Sequence, residues 1–259
     1  MYRVFWRKLM AAILMLCILA LAACGPTAPP AATARKLTVA VTIAPEHTFV
    51  QAVCGNLVNV ITLIPTGSDP ETYEPTSAIL QSFSTADIYF PIGLPAENST
   101  PVTTAQKDKA IKIVPLQDAV SAVYPDIALG GLRDPYTWLS LKRAKVMVQT
   151  IANEMSALDP DHAETYAQNA SAYLAKLDIT DQEVHKRLSR LLLSSLQTRH
   201  FVAIPPVLRY FADEYDLTME VLAKEGQEAT EQEIQQAINL AKAQNVKAIF
   251  YTAQTDSRI

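Results

Sequence analysis

The spacing of apolar positions changes twice along this chain, and each change marks a different architecture. Short runs rich in β-branched residues, Leu37–Ile43, Leu57–Ile64, Asp87–Ile92 and Ala110–Val114, predict strands. Between them, Glu46–Cys54 and Thr76–Ser84 carry helical spacing; Gly55-Asn56 stops the first, and Ile79, Leu80 and Phe83 share a face of the second. Strands alternating with short helices predict an α/β lobe with a parallel or mixed sheet. Ala96–Lys109 has no assignable period, and Tyr124–Pro135 reads as an irregular loop.

From Thr137 the period becomes helical. Leu139, Val146, Val148, Ile151, Met155 and Leu158 fall on one buried face, and Asp159-Pro160 breaks the pattern. A second helix then opens, with Asp159 as its cap and Pro160 at its first position. Tyr166, Tyr173, Leu177, Val184, Leu188 and Leu191 recur along it. Continuous to about Leu193, this helix spans about 50 Å at ~1.5 Å per residue, enough to cross the molecule as a strut that limits hinge motion. Strand and helix then alternate again: strands at Phe201–Ile204, Leu217–Leu222 and Lys247–Tyr251, a helix over Val207–Tyr215, and one opened by Thr230-Glu231-Gln232-Glu233 and running to about Gln244. The expectation is two α/β lobes joined by one long helix.

The first residues change this picture at one end. Arg3, Arg7 and Lys8 precede the apolar run Leu9–Leu21, which is short for a membrane span and right for a signal segment. It ends in Leu21-Ala22-Ala23-Cys24-Gly25, which resembles a bacterial lipobox, so Cys24 is the expected site of lipidation. Residues 1–23 then read as a signal peptide and 24–36 as lipidated Cys and Pro/Ala-rich tether. The lobes follow at 37–136 and 196–259, with a helical connection over 137–195. Of three Cys, Cys17 leaves with the signal and Cys24 takes lipid. Cys54 remains as a small buried residue at a helix end, so a core and not disulfides must hold the fold.

Composition agrees with a folded chain: 49% hydrophobic and 19% charged. Removal of residues 1–23 leaves 19 basic against 26 acidic residues, a net charge of −7, which argues against a nucleic-acid partner. Phosphate-loop, dinucleotide, nucleophile-elbow and H-E-x-x-H motifs are all missing from the sequence, and no catalytic activity is expected. His47, His162, His185 and His200 have no metal-ligand spacing and read as surface or capping residues.

One stretch carries more. Ile64–Pro75, IPTGSDPETYEP, is a stiff loop directly after a strand, where an α/β protein places ligand contacts. With STADIYFPIGL (Ser84–Leu94), DPYTWL (Asp134–Leu139), LDPDHAETYAQNASAYLAKL (Leu158–Leu177) and VKAIFYTAQ (Val246–Gln254), it resembles the zinc- and manganese-specific solute-binding proteins of ABC transporters, the ZnuA/TroA type. The resemblance runs from Leu37 to Ile259. It implies two α/β lobes joined by a long helix, a metal ion held in the cleft between them, an ABC permease as partner, and lipid anchoring to the membrane on its extracytoplasmic side, periplasm or cell surface. It also places the second lobe's last strand and helix, with the fourth ligand, beyond Ile259, so that lobe reads as incomplete.

The ligand positions depart from the family. Glu71 stands at the first His position, Tyr136 at the second, and Pro205, which has no side-chain donor, at the third. The resemblance therefore implies Glu71 and Tyr136 as the metal residues, facing each other across the cleft. Phenolate and carboxylate suit a hard ion, Fe³⁺ or Mn²⁺, better than zinc. The cargo is then one divalent or trivalent ion (Zn, Mn or Fe), or no metal at all, with Tyr136 merely filling the cleft. Two rivals keep the scaffold: a receptor for a non-metal ligand, with Tyr73 and Tyr136 as aromatic surface, and an adhesin or degenerate lipoprotein with no transport role.

Overall fold

The β-branched runs assemble into two parallel sheets. In the computed structural model, residues 2, 35–70, 72–99, 102–103, 107, 111–129, 131–193, 199–204, 206–221, 231–243, 246 and 249–251 are described. Met1–Lys36 and Leu37–Ile259 are separate units, and both sheets lie in the second. The first sheet contains β1 (Leu37–Val41), β2 (Val58–Thr62), β3 (Ile88–Phe90) and β4 (Lys112–Ile113), ordered β2-β1-β3-β4 and all parallel. Central β1 is buried along Thr38–Val41, as a strand covered on both faces must be. Helices α1 (Ala44–Cys54), α2 (Ser77–Phe83) and α3 (Leu116–Ser121) follow β1, β2 and β4.

The helical period after Thr137 produces a 3₁₀ turn over Thr137–Leu139, then α4 (Leu141–Leu158) and α5 (Ala163–Leu193). Ala144, Met147, Val148, Ile151, Ala152 and Met155 form the buried face of α4, which packs on α1 and α5. Within the segment Leu158–Leu177, three residues seat α5 on α1. Asn169 donates Nδ2–H to the Val53 carbonyl (2.9 Å) at the end of α1, while Ala170 is buried and lets the helices approach. Tyr173 meets the Phe49 ring at 6.2 Å.

One expectation about the start of α5 is corrected in part. Asp159 and Pro160 hold the expected N-cap and first positions, but of a 3₁₀ turn, Pro160–His162, that runs into α5 at Ala163, and Asp159 makes no side-chain cap bond. The Asp159 carboxylate instead accepts from Tyr166 Oη (2.6 Å) and pairs with His162 (2.8 Å). The apolar stripe is buried only as far as Leu177; Leu191 is 49% exposed, because the core made with α1 and α4 ends before that turn.

The second sheet is ordered β8-β7-β9: β7 (His200–Ile204), β8 (Thr218–Val221) and β9 (Ile249–Tyr251), again parallel. Helix α6 (Arg209–Glu214) connects β7 to β8, and α7 (Glu231–Ala243) precedes β9. The loop expected over Tyr124–Pro135 contains a small antiparallel hairpin, β5 (Ala128–Leu129) with β6 (Leu132–Arg133). The molecule is α/β with parallel sheets joined through a long helix, as the sequence pattern predicts.

Candidate functional site

In open α/β sheets, ligands bind outside the carboxyl ends of the strands, where neighbouring connections run in opposite directions. Among the described residues there are two such points, between β1 and β3 and between β7 and β9.

At the first, the crevice is occupied from within. Thr42 follows β1, and Glu97 lies in the 3₁₀ turn Pro95–Asn98 after β3. The Glu97 carboxylate accepts from Thr42 Oγ1, from Ile92 N–H (2.8 Å) and from Gly93 N–H (2.7 Å). Thr42 Oγ1 also meets Tyr89 Oη at 2.9 Å. Glu46, on the first turn of α1, accepts from the Thr42 and Ile43 amides (3.0 Å each), while its Oε1 is buried without a partner. Burial pushes both carboxyls up, and Glu97 adds repulsion at Glu46. The Tyr89 phenol is likewise raised, by burial first and Glu97 second. The sequence signal for this cluster is an acid in the first turn of a helix opened by Pro45, and another in the apolar loop FPIGLPAE.

The cluster supports the loop singled out in the sequence. Leu63 and Ile64 donate their amides to the Val41 and Thr42 carbonyls (2.9 and 2.8 Å), which hangs the stretch after β2 on the end of β1. Tyr73 N–H closes a turn onto the Asp69 carbonyl (3.0 Å), its side chain packs on the core, and Pro75 is buried. Tyr73 thus belongs to the frame, with its side chain half-buried against the core. Glu71 lies outside the described residues, as do Pro205 and Cys24, so the facing of Glu71 and Tyr136 is not among the described geometry.

Tyr136 sits in a built corner. Its side chain is buried, 5% exposed, and its ring lies 5.1 Å from that of Trp138. Its N–H donates to Asp134 Oδ1 (2.8 Å). Asp134 Oδ2 accepts from Arg209 Nη1 (3.1 Å), with the Asp134 side chain fully buried and that of Arg209 13% exposed. Tyr210 Oη donates to the Asp134 carbonyl (3.1 Å) and accepts from Ile127 N–H (3.1 Å). Beside it, buried Arg143 stacks 4.4 Å over the Tyr210 ring and bonds to Asp213 (3.2 Å) and to the Pro125 carbonyl (3.1 Å). Ser140 caps α4 through Arg143 N–H, and Glu214 accepts from Lys142 N–H (2.8 Å), adding negative charge at that helix N-terminus. The corner before α4 is thereby fastened to α6, the helix that follows the switch-point loop of the second sheet.

The four His are engaged elsewhere. His47 Nδ1 meets Thr62 Oγ1 (3.0 Å), His162 pairs with Asp159, His185 approaches Asp181 (3.6 Å) and the Tyr215 ring, and His200 meets Glu220 (2.7 Å). Among the described residues, no three His, Cys, Asp or Glu side chains converge as a metal cluster.

Known proteins share this architecture. A family model described as zinc-uptake complex component A, periplasmic (ZnuA), matches residues 39–259. The iron ABC transporter substrate-binding lipoprotein MtsA of Streptococcus pyogenes serotype M1 is 28% identical over 252 residues, covering 94% of this chain and 80% of MtsA. The manganese ABC transporter substrate-binding lipoprotein PsaA of Streptococcus mitis is 25% identical over 255 residues, covering 95% and 82%. A crystal structure of ZnuA superposes with a TM-score of 0.75 at 32% identity, covering 86% of this chain and 85% of that one. A cadmium-bound periplasmic metal-binding protein from Candidatus Liberibacter asiaticus gives 0.73 at 25% identity, covering 86% and 82%.

Proposed function

The chain belongs to the zinc-uptake complex component A family, and from that membership we propose that it is the extracytoplasmic receptor of an ABC importer, capturing a metal ion between two lobes and handing it to the permease. What supports this reading is the family match over residues 39–259, together with the hydrogen-bonded corner that fixes Tyr136, which we take as a ligand, against the helix following β7. The named relatives are substrate-binding components for iron and manganese, and the similarity spans 94–95% of this chain and 80–82% of theirs.

The cargo we propose is a hard ion, iron or manganese, in preference to zinc. Glu71 and Tyr136 would supply carboxylate and phenol oxygens, and Pro205 supplies no side-chain donor. Oxygen donors favour hard cations, whereas zinc favours imidazole and thiolate. The protein does no chemistry on its cargo; it binds and releases. Residues 1–23 act as the export signal, Cys24 carries the lipid, and 24–36 tether the lobes 37–136 and 196–259, with their connection 137–195, to the outer face of the cell membrane.

A thermal-shift series with Mn²⁺, Fe³⁺ and Zn²⁺ tests the reading. An ion that binds only the native state adds about 2.7 kcal/mol at a hundredfold excess over Kd. The reading predicts that Mn²⁺ or Fe³⁺ raises Tm more than Zn²⁺ and that Tyr136→Phe reduces the rise. No rise with any ion would favour the receptor for a non-metal ligand.

A further inference from the structure

We infer that Arg209 is a positioning residue through which the second lobe sets the Tyr136 corner. This rests on the metal-receptor reading for its purpose but not for its geometry. One buried carboxylate joins the two sides: Asp134 Oδ2 takes Arg209 Nη1 at 3.1 Å, and Asp134 Oδ1 takes the Tyr136 amide at 2.8 Å. Arg209 is the first residue of α6, directly after the loop that leaves β7. A second bond runs parallel to the first, since the adjacent Tyr210 Oη holds the Asp134 carbonyl. Any displacement of the β7–α6 loop is therefore transmitted to the Tyr136 backbone through a buried ion pair.

The charge balance suits a cation receptor. Arg209 brings a positive charge toward the loops that would hold a cation, and Asp134 neutralises it within the scaffold. The Asp134 carboxylate is committed to that pair and to the Tyr136 amide, so it does not compete as a ligand. An aligned guanidinium–carboxylate bond fixes direction as well as distance. Buried and turned inward, it orders the corner before any ligand arrives, which reduces the ordering cost of binding.

Trp138 makes the inference measurable. The sequence has two Trp, Trp6 and Trp138, and Trp138 lies 5.1 Å from the Tyr136 ring. In the processed chain, which has lost Trp6 with residues 1–23, emission and acrylamide quenching report this corner alone. Arg209→Gln is expected to increase Trp138 quenching in the metal-free protein and to weaken Mn²⁺ or Fe³⁺ binding about tenfold. Arg209→Lys is expected to restore both. Should Arg209→Gln fail to fold, Asp134→Asn keeps an acceptor for Tyr136 N–H while removing the charge, and is expected to loosen Trp138 in the same way. Unchanged Trp138 emission and quenching in a folded Arg209→Gln or Asp134→Asn variant overturns the inference. If the parent protein binds none of the ions, the metal reading falls, while the Trp138 measurement still decides the role of Arg209.

Discussion

Removing the Glu97 carboxylate should destabilise the first lobe by a calculable amount. Glu97 is 8% exposed and accepts from Thr42 Oγ1, Ile92 N–H and Gly93 N–H. Glu97→Ala leaves two backbone donors and a hydroxyl without that acceptor. A buried donor left unpaired costs about 1–3 kcal/mol. The Ile92 bond is buried, the Gly93 bond partly so, and the Thr42 hydroxyl keeps Tyr89 as a neighbour, so about 3 kcal/mol is the central expectation. An opposing term exists, because burial raises the Glu97 carboxyl and its removal relieves that cost. Glu97→Gln keeps one acceptor oxygen but turns an amide toward a backbone donor, and should lose roughly half as much. Urea unfolding followed by circular dichroism, with unchanged m-value, measures both. A Glu97→Ala variant within about 0.5 kcal/mol of the parent would refute the idea that Glu97 fills the crevice between β1 and β3 as an internal ligand.

Three further outcomes concern single sites. Burial holds the native Glu46 carboxyl well above its ordinary value, whereas the unfolded chain releases that proton near ~4.3. Above that pH the native state binds the extra proton, so stability falls as pH rises until native Glu46 ionises; Glu46→Gln should flatten this fall in urea titrations run from acid to neutral pH. The Cys54 thiol is buried and pushed up to about 12, by burial first and Asp159 second, so thiol reagents at pH 8 should label it only in denaturant. Cys24→Ala should move the protein from the membrane fraction to the soluble one, and unchanged retention would count against the lipid anchor.

The helices of the connection were readable because burial there follows period. Val148, Ile151 and Met155 pack inward where their spacing puts them, while Leu139 falls in the preceding 3₁₀ turn and Val146 and Leu158 are only partly buried. Beyond Leu177 apolar residues still recur on α5, but the hydrophobic core made with α1 and α4 has ended and Leu191 is 49% exposed. Helix α3 has six residues behind Pro115, and each strand of the β5–β6 hairpin has two, too few for any period to show.

The site is less legible still, because its bonds are distant in sequence. Arg209 and Asp134 lie 75 positions apart, and Arg143 and Asp213 lie 70 apart. No local pattern announces that a charged side chain such as Arg143 will be 1% exposed. Glu46 and Glu97 look like ordinary helix-start acids until the sheet order brings the ends of β1 and β3 together. What the sequence does show locally is the stiff frame around Tyr73 and Pro75 and the corner around Tyr136.

Calorimetric titration of the metal-free protein with Mn²⁺, Fe³⁺ and Zn²⁺ tests the central claim most directly. A metal receptor with oxygen ligands predicts one site for Mn²⁺ or Fe³⁺ with a Kd below about 10 μM, corresponding to roughly −7 kcal/mol, with weaker binding of Zn²⁺. Binding of none of the three at that level would contradict it.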